Sequence, residues 1–425
     1  MSKINVLVFP DGEINSAEVH DALATCVNIN LYGASSIERH GKFLFKNHIP
    51  GLPNIYEPNF YQELNKIVNL YDIDIVIPTH DTVSLELIRN QDKLDCKILG
   101  GDLYTAEVCR SKAKSYALYK DCSFTPEIYE KDKVKKFPIF AKPDKGQGAK
   151  GAKIINTEQE LKSTDLEDYV ICEYLPGIEY TVDCLTDKNG ELCVISPRSR
   201  ARTLAGVSVH GKNEVLTDEI KTIAEKINKR LHFCGLWYFQ IKKDSNDKFK
   251  LLEISNRCAG TMCLTRAKGL NLPLLSVYAN MGHDIKPIPN PYNVTIDRSL
   301  INRYEIDYHY DSVYLDLDDT LIIADAVNLN VIRFVYQCYN KQIPVYLLTK
   351  HCKEVQATLE KHAICKTLFK EIIHISENNK KSSYIKDSSP ILIDNAFSER
   401  NEVIGSIGIP VFDVDAVEVL LDWKL

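Results

Sequence analysis

The chain has 425 residues, 44% hydrophobic and 26% charged, with a formal net charge of −6. That length holds two or three ordinary domains, and the composition is that of a soluble globular protein. The acidic balance argues against a nucleic-acid partner, no apolar run reaches the ~18–20 residues of a membrane span, and thirteen cysteines without a Cys-x-x-Cys pair exclude a zinc cage and point to free thiols in a reduced, cytoplasmic setting.

Residues 1–100 open on a strand-like run, Ile4–Phe9, too early and short for a secretory leader. With Ile73–Pro78 and Lys97–Leu99 it alternates with helical patterns, which predicts a parallel α/β sheet. The turn Pro10-Asp11-Gly12-Glu13 is not G-x-G-x-x-G, so the domain is Rossmann-like without a dinucleotide site. His80-Asp81, after the strand ending at Pro78, reads as a crevice pair or as a helix-capping aspartate.

Residues 101–297 read as an α+β domain with antiparallel hairpins. Its expected strands are Phe137–Lys142, Tyr169–Tyr174, Tyr180–Leu185 and Leu192–Ser196. A capping box spans Thr157 and Glu160. A helix from Thr217 puts Ile220, Ile223, Ala224, Ile227 and Leu231 on one core-facing side. Pro287, Pro289 and Pro291 read as linker, and the join to the last domain is set at residues 298–310. Residues 311–425 predict a doubly wound parallel sheet from Ser312–Leu315, Pro344–Leu348, Ile372–Ile375, Ile391–Ile393 and Pro410–Phe412.

Ligands of open parallel sheets sit beyond the strands' carboxyl ends. In the last domain those ends carry Asp316-Leu-Asp318-Asp319-Thr320, Thr349-Lys350 and Asp394-Asn395, with Lys380 or Lys381 nearby. Crowded carboxylates call for a cation, and Mg²⁺ prefers hard oxygens. A carboxylate there can attack a phosphoryl group. This set resembles the haloacid dehalogenase (HAD) superfamily. The resemblance implies Asp316 as nucleophile, Asp318 as general acid/base, Thr349 and Lys381 as phosphate-binding groups, and Asp316, Asp318 and Asp394 around the metal. Asn395 departs from it where many members carry a second acid; Glu399 lies a helical turn on.

The central domain places Lys142 at a strand end before a glycine-rich hairpin, Gly146-Gln-Gly148-Ala-Lys150-Gly151. Glycines admit phosphate oxygens to backbone N–H groups. Downstream lie Glu173-Tyr174-Leu175, Glu179, Gln240 and Glu253-Ile-Ser255-Asn256-Arg257. Arg198, Arg200 and Arg202 would share one strand face at period two. Together these resemble the ATP-grasp superfamily, in its carbamoyl-phosphate-synthase-like branch, over roughly residues 1–300. The resemblance implies Lys112, Lys142 and residues 146–151 on the nucleotide, Glu173, Tyr174 and Leu175 as adenine hinge, and Glu179 on the ribose. It assigns Gln240, Glu253 and Asn256 to Mg²⁺ or Mn²⁺, and Arg257 with Arg200 or Arg202 to the γ-phosphate. Departures are Ser111, Ala149 and Ser255, where members carry Asp, Ser and Asn. His210 and the scattered cysteines read as structural.

The expected activity is twofold. An ATP-dependent ligase would join a small-molecule carboxylate to an amine through an acyl phosphate, and a Mg²⁺-dependent phosphatase would act on a related phosphorylated metabolite. Their fusion implies consecutive steps and allows a homodimer. The alternatives are a kinase-like enzyme or carboxylate–thiol ligase, and an ATP-grasp enzyme carrying an inactive HAD-like scaffold.

Overall fold

The computed structural model describes residues 3–422 and 424, except Gln147, Ala149, Ala205, Asn302 and Glu305; the Ala149 departure thus lies outside the described residues. The chain divides into two compact units, the first running to Leu300 and the second starting at Ile301. No helix among the described residues is long and apolar enough to cross a membrane.

The first unit begins with five parallel strands, β1 (Ile4–Phe9), β2 (Ile29–Ala34), β3 (Asn47–Ile49), β4 (Ile75–Pro78) and β5 (Lys97–Ile98), in the order β3-β2-β1-β4-β5. Val6, Leu7, Val8 and Phe9 are all buried. Helices cover both faces of a parallel sheet, so its central strand reads as an unbroken apolar run. β2 and β3 are hidden in the sequence because Asn30, Tyr32, Asn47 and His48 interrupt their apolar residues. Gly33 in β2 admits the Phe45 ring, which a Cβ would meet at 2.4 Å. The helices are α1 (Ile14–Leu23), α2 (Phe60–Leu70), α3 (Asp81–Arg89), α4 (Leu103–Arg110) and α5 (Lys112–Leu118). The strand order reverses beside β1, so the ends of β1 and β4 bound the crevice.

Next come β6 (Ile128–Tyr129), β7 (Ile139–Pro143), β8 (Lys153–Ile155), α6 (Glu158–Ser163) and β9 (Tyr169–Glu173), an antiparallel sheet ordered β6-β9-β7-β8. Thr157 caps α6 by accepting from Glu160 N at 3.2 Å, and Glu160 reaches back to Asn156 N at 2.8 Å. A second antiparallel sheet, β11-β10-β14-β15, joins β10 (Glu179–Thr186), β11 (Leu192–Ser199), β14 (Gly235–Lys243) and β15 (Phe249–Ser255). Between β11 and β14 lie β12 (Arg202–Leu204), β13 (Val207–Lys212) and α7 (Asp218–Arg230). Thr217 caps α7, whose Ile220, Ile223, Ala224 and Ile227 are buried.

The proline stretch is not a linker between units. After α8 (Cys263–Ala267) and α9 (Leu272–Asn280), Asn290 N bonds to Lys268 O at 2.7 Å, and β16 (Thr295–Asp297) then pairs with β13. Prolines there remove donors from a segment that still packs on the first unit.

Glu18 of α1 is buried against Arg266 at 3.1 Å. Burial raises its carboxyl from the ordinary 4.5 to about 7, although the Arg266 charge opposes the shift. A raised carboxyl pKa favours the folded state at low pH, and that contribution is lost as pH rises from about 4.5 through about 7. Glu18→Gln should therefore remove a pH-dependent term on the order of 2 kcal/mol, read as a flatter dependence of the urea midpoint on pH between 5 and 8.

The second unit is a five-stranded parallel sheet of β17 (Ser312–Leu315), β20 (Val345–Thr349), β21 (Glu371–His374), β22 (Pro390–Ile393) and β23 (Val411–Phe412), ordered β21-β20-β17-β22-β23. A small hairpin, β18 (Ile322–Ile323) and β19 (Ala326–Val327), follows β17; the helices are α10 (Leu329–Asn340), α11 (Val355–Lys361) and α12 (Phe397–Ile407). Val313, Leu315, Leu347, Ile391 and Ile393 are fully or almost fully buried in its core.

Candidate functional site

A cleft of about 450 Å³ opens in the first unit. Glu13, Asn15, Thr79 and His80 line it from the ends of β1 and β4, and Lys112, Lys142, Gly146, Gly148 and Lys150 from the α5 and β7 side. Glu179, Gln240 and Glu253 line it from the second antiparallel sheet.

Lys112 starts α5, where Ser111 caps the helix and its hydroxyl lies 2.9 Å from the Asp144 carboxylate. Lys112 Nζ donates to Gly146 O at 2.9 Å and stands 3.9 Å from Glu253. Lys142 Nζ donates to Leu252 O at 3.0 Å and sits 5.3 Å from the Tyr116 ring centroid. Burial pulls its pKa down. Two ammonium groups at the foot of a glycine loop suit a polyphosphate.

Gln240 and Glu253 are cross-strand partners. Among the described residues no group of three or more His, Cys, Asp or Glu is placed to hold a metal. One carboxylate and one carboxamide fit an ion such as Mg²⁺, which takes its remaining ligands from water and nucleotide phosphates. The expected third ligand, Asn256, is not in the cleft: it is buried and donates to Gly100 O at 2.7 Å. Ser255 turns its hydroxyl to Asp81 at 2.9 Å.

Arg257 does reach the cleft. Asp81 grips it in a fork, Nε to Oδ1 at 2.9 Å and Nη2 to Oδ2 at 2.7 Å. Burial alone would raise the Asp81 carboxyl, but Arg257 outweighs it and holds it down at about 2. The cap of α3 is instead His80, whose Nδ1 accepts from Thr82 N.

The arginine row breaks, because β11 ends at Ser199 and β12 restarts at Arg202. Arg200 faces the cleft and pairs with Glu179 at 2.6 Å. Arg202 leaves it for Asp297 at 2.8 Å. Arg198 is buried, with both Asp183 oxygens at 2.9 Å. Removing one partner of such a pair strands the other charge, so Arg198→Ala should destabilise by about 3–5 kcal/mol, read as a lower urea midpoint for the first unit's transition. Glu173, Tyr174, Leu175 and Gly151 stand outside the cleft lining. Glu173 accepts from Glu127 N at 3.0 Å, and Leu175 is buried in the core.

Residues 165–299 match the family described as ATP-grasp in the biosynthetic pathway with Ter operon. The chain is 26% identical over 225 residues to a carbamoyl-phosphate synthase of Methanobrevibacter smithii, covering 46% of this chain and 60% of that one. The large chain of carbamoyl phosphate synthase from Thermoplasma volcanium is 24% identical over 281 residues, covering 55% of this chain and 26% of that one. The first unit carries an ATP-grasp domain of the carbamoyl-phosphate-synthase-like branch.

Solved ATP-grasp neighbours agree in fold. The biotin carboxylase domain of Hydrogenobacter thermophilus 2-oxoglutarate carboxylase superposes with a TM-score of 0.58 at 14% identity, over 69% of this chain and 74% of that one. N5-carboxyaminoimidazole synthetase of Staphylococcus aureus gives 0.55 at 12%, over 68% and 80%. The chain thus spans at most about 60% of the length of the two curated relatives.

In the second unit, Asp316 follows β17, Thr349 ends β20 and Asp394 follows β22. Lys381 Nζ bridges Asp316 at 2.7 Å and Asp394 at 2.6 Å. All three are buried. Burial raises Asp316 to about 6, with Asp394 adding to the rise and Lys381 opposing it. For Lys381, burial lowers the pKa but the two carboxylates outweigh it and raise it. Thr349 is fully buried, its Oγ1 accepting from His351 N at 3.2 Å.

The three aspartates do not form the expected metal cluster. Asp394 gives one oxygen to Lys381 and the other to Ala396 N at 2.8 Å. Asp318 is turned to His351 at 2.9 Å. Asn395 Oδ1 lies 3.2 Å from Thr320 Oγ1, and Glu399 is committed to Lys350 at 2.7 Å. Lys381 is the cation that joins Asp316 to Asp394 here. Sequence reasoning missed Asp81 as the holder of Arg257 and His351 as the partner of Asp318.

Proposed function

We propose that the chain is an ATP-dependent carboxylate–amine ligase joined to a phosphohydrolase. The ligase reading rests on the convergence of Lys112, Lys142, Gln240, Glu253 and Arg257 on one cleft. Lys112, Lys142 and the loop N–H groups hold the phosphates of ATP. Gln240 and Glu253 would hold Mg²⁺, which supplies positive charge to the β- and γ-phosphates when bound. Arg257, fixed by Asp81, faces the transferring phosphoryl group. The carboxylate oxygen attacks the γ-phosphorus and ADP leaves. The amine nitrogen then attacks the acyl carbon, phosphate leaves, and the nitrogen gives up a proton. Positioning and charge account for this chemistry without a covalent enzyme intermediate. The test is ADP release from MgATP, screened against paired carboxylates and amines. Release that no pair stimulates sinks the ligase reading.

The phosphohydrolase reading rests on the buried Asp316–Lys381–Asp394 triad at the carboxyl ends of a parallel sheet. Asp316 attacks the phosphorus, the ester P–O bond breaks, and Asp318 gives its proton to the leaving oxygen. Water then attacks the phosphorus, returns a proton to Asp318, and frees Asp316 and inorganic phosphate. The substrate would be a phosphorylated metabolite related to the ligase reaction. An inactive scaffold is the second reading, favoured by Asn395 at the place of a second acid. Release of p-nitrophenol from p-nitrophenyl phosphate separates the two.

A further inference from the structure

We infer that His351 is the positioning residue for the general acid/base Asp318, an inference resting on the phosphohydrolase reading of the second unit. Asp318 sits on the turn after β17 with its side chain 55% exposed, and its carboxylate is hydrogen-bonded to His351. His351 is only 7% exposed, and its Nδ1 stands 2.9 Å from both Asp318 oxygens. The imidazole is clamped in turn. Nε2 lies 2.8 Å from Thr358 Oγ1 on α11. Its backbone N–H reaches Thr349 Oγ1 at 3.2 Å, and its carbonyl lies 2.6 Å from His374 Nε2 at the end of β21. A ring fixed at Nε2 by Thr358, on a backbone bonded at both its N–H and its carbonyl, is a rigid donor for a carboxylate that has to deliver and recover one proton at a fixed place. The backbone N–H of the same residue bonds to Thr349 at the end of β20, so the acid/base and the phosphate-binding hydroxyl are tied through one residue.

The test uses the full chain with p-nitrophenyl phosphate and MgCl₂. His351→Ala should lower kcat roughly 10–100-fold, within the span of general acid–base catalysis, with KM changed by less than about threefold because Asp316, Lys381 and Thr349 still bind the phosphate. His351→Asn, which places an amide N–H near the Nδ1 position, should recover most of the lost kcat. A second readout needs no turnover. In metal-free protein with ¹⁵N-labelled histidine, the ring signal absent from His351→Asn should shift in Asp318→Ala. Hydrolysis by the unaltered chain with a normal kcat in His351→Ala overturns the inference alone, as does a ring signal indifferent to Asp318→Ala. A chain that hydrolyses no aryl phosphate overturns the phosphohydrolase reading and the positioning role together.

Discussion

Lys142→Ala is expected to weaken nucleotide binding by roughly a hundred-fold or more and to abolish ADP release, while aryl-phosphate hydrolysis by the second unit continues. Lys142 is 6% exposed and donates to Leu252 O at 3.0 Å. A cation this dry is held at a cost, which the lowered pKa registers; burial is the main cause and Lys112 adds to it. Phosphate oxygens would satisfy its remaining donors, and truncating one partner of a buried hydrogen-bonded charge pair costs about 2–5 kcal/mol. Calorimetric titration with ADP measures the affinity. Lys142→Arg keeps the charge but not the shape, since a planar fork cannot stand in for a compact ammonium over the Tyr116 ring. It should bind more weakly than the unaltered chain and more tightly than Lys142→Ala. An unchanged ADP affinity in Lys142→Ala would remove the residue from the phosphate site. Parallel loss of aryl-phosphate hydrolysis would argue against independent sites.

The strands that could be read from the sequence are those whose neighbours bury both faces, because burial writes a continuous apolar run. Val6-Leu7-Val8-Phe9 of β1 and Val313-Tyr314-Leu315 of β17 are of this kind. β2, with Asn30 and Tyr32 inside it, and the short β3 at the sheet edge carry no such run. Residues with reactive heads at strand ends were legible for the same reason: Lys142, Asp316, Thr349 and Asp394 each follow an apolar run whose end the sheet aims at a crevice. What the sequence could not show were side chains whose direction depends on a distant partner. Asp81 meets Arg257 across 176 positions, and Asn256 bonds to Gly100 across 156. The family resemblance put Asn256 on the metal and the local sequence left Asp81 as a crevice residue or a helix cap, whereas their long-range bonds direct Asn256 to Gly100 and Asp81 to Arg257. The arginine row failed more locally. Period two holds only along one strand, and the chain leaves β11 at Ser199.

Asp316→Asn is expected to abolish phosphate-ester hydrolysis, on the order of 10⁴-fold or more, the scale on which removing a nucleophile acts. The reason is chemical, since an amide oxygen is a poor nucleophile toward phosphorus. It is not structural, because Asn is nearly isosteric with Asp. Asp316 lies in the buried triad with Lys381 at 2.7 Å, and burial raises its pKa to about 6. A carboxylate with a raised folded pKa favours folding only below its unfolded pKa and loses that contribution as pH rises through about 6. At pH 8 the burial of the ionised Asp316 opposes folding while its pairing with Lys381 favours it, and Lys381 still has Asp394, at 2.6 Å, as a partner when Asp316 is neutralised. The melting temperature of Asp316→Asn at pH 8 should be no lower than that of the unaltered chain, whereas at pH 5 the difference should shrink or reverse. Dead hydrolysis together with an undiminished melting temperature and normal ADP release would assign Asp316 to chemistry. Hydrolysis that survives the substitution would take Asp316 out of the nucleophile's role, and a melting temperature that falls sharply at pH 8 would mean that the triad holds the sheet together rather than a phosphate.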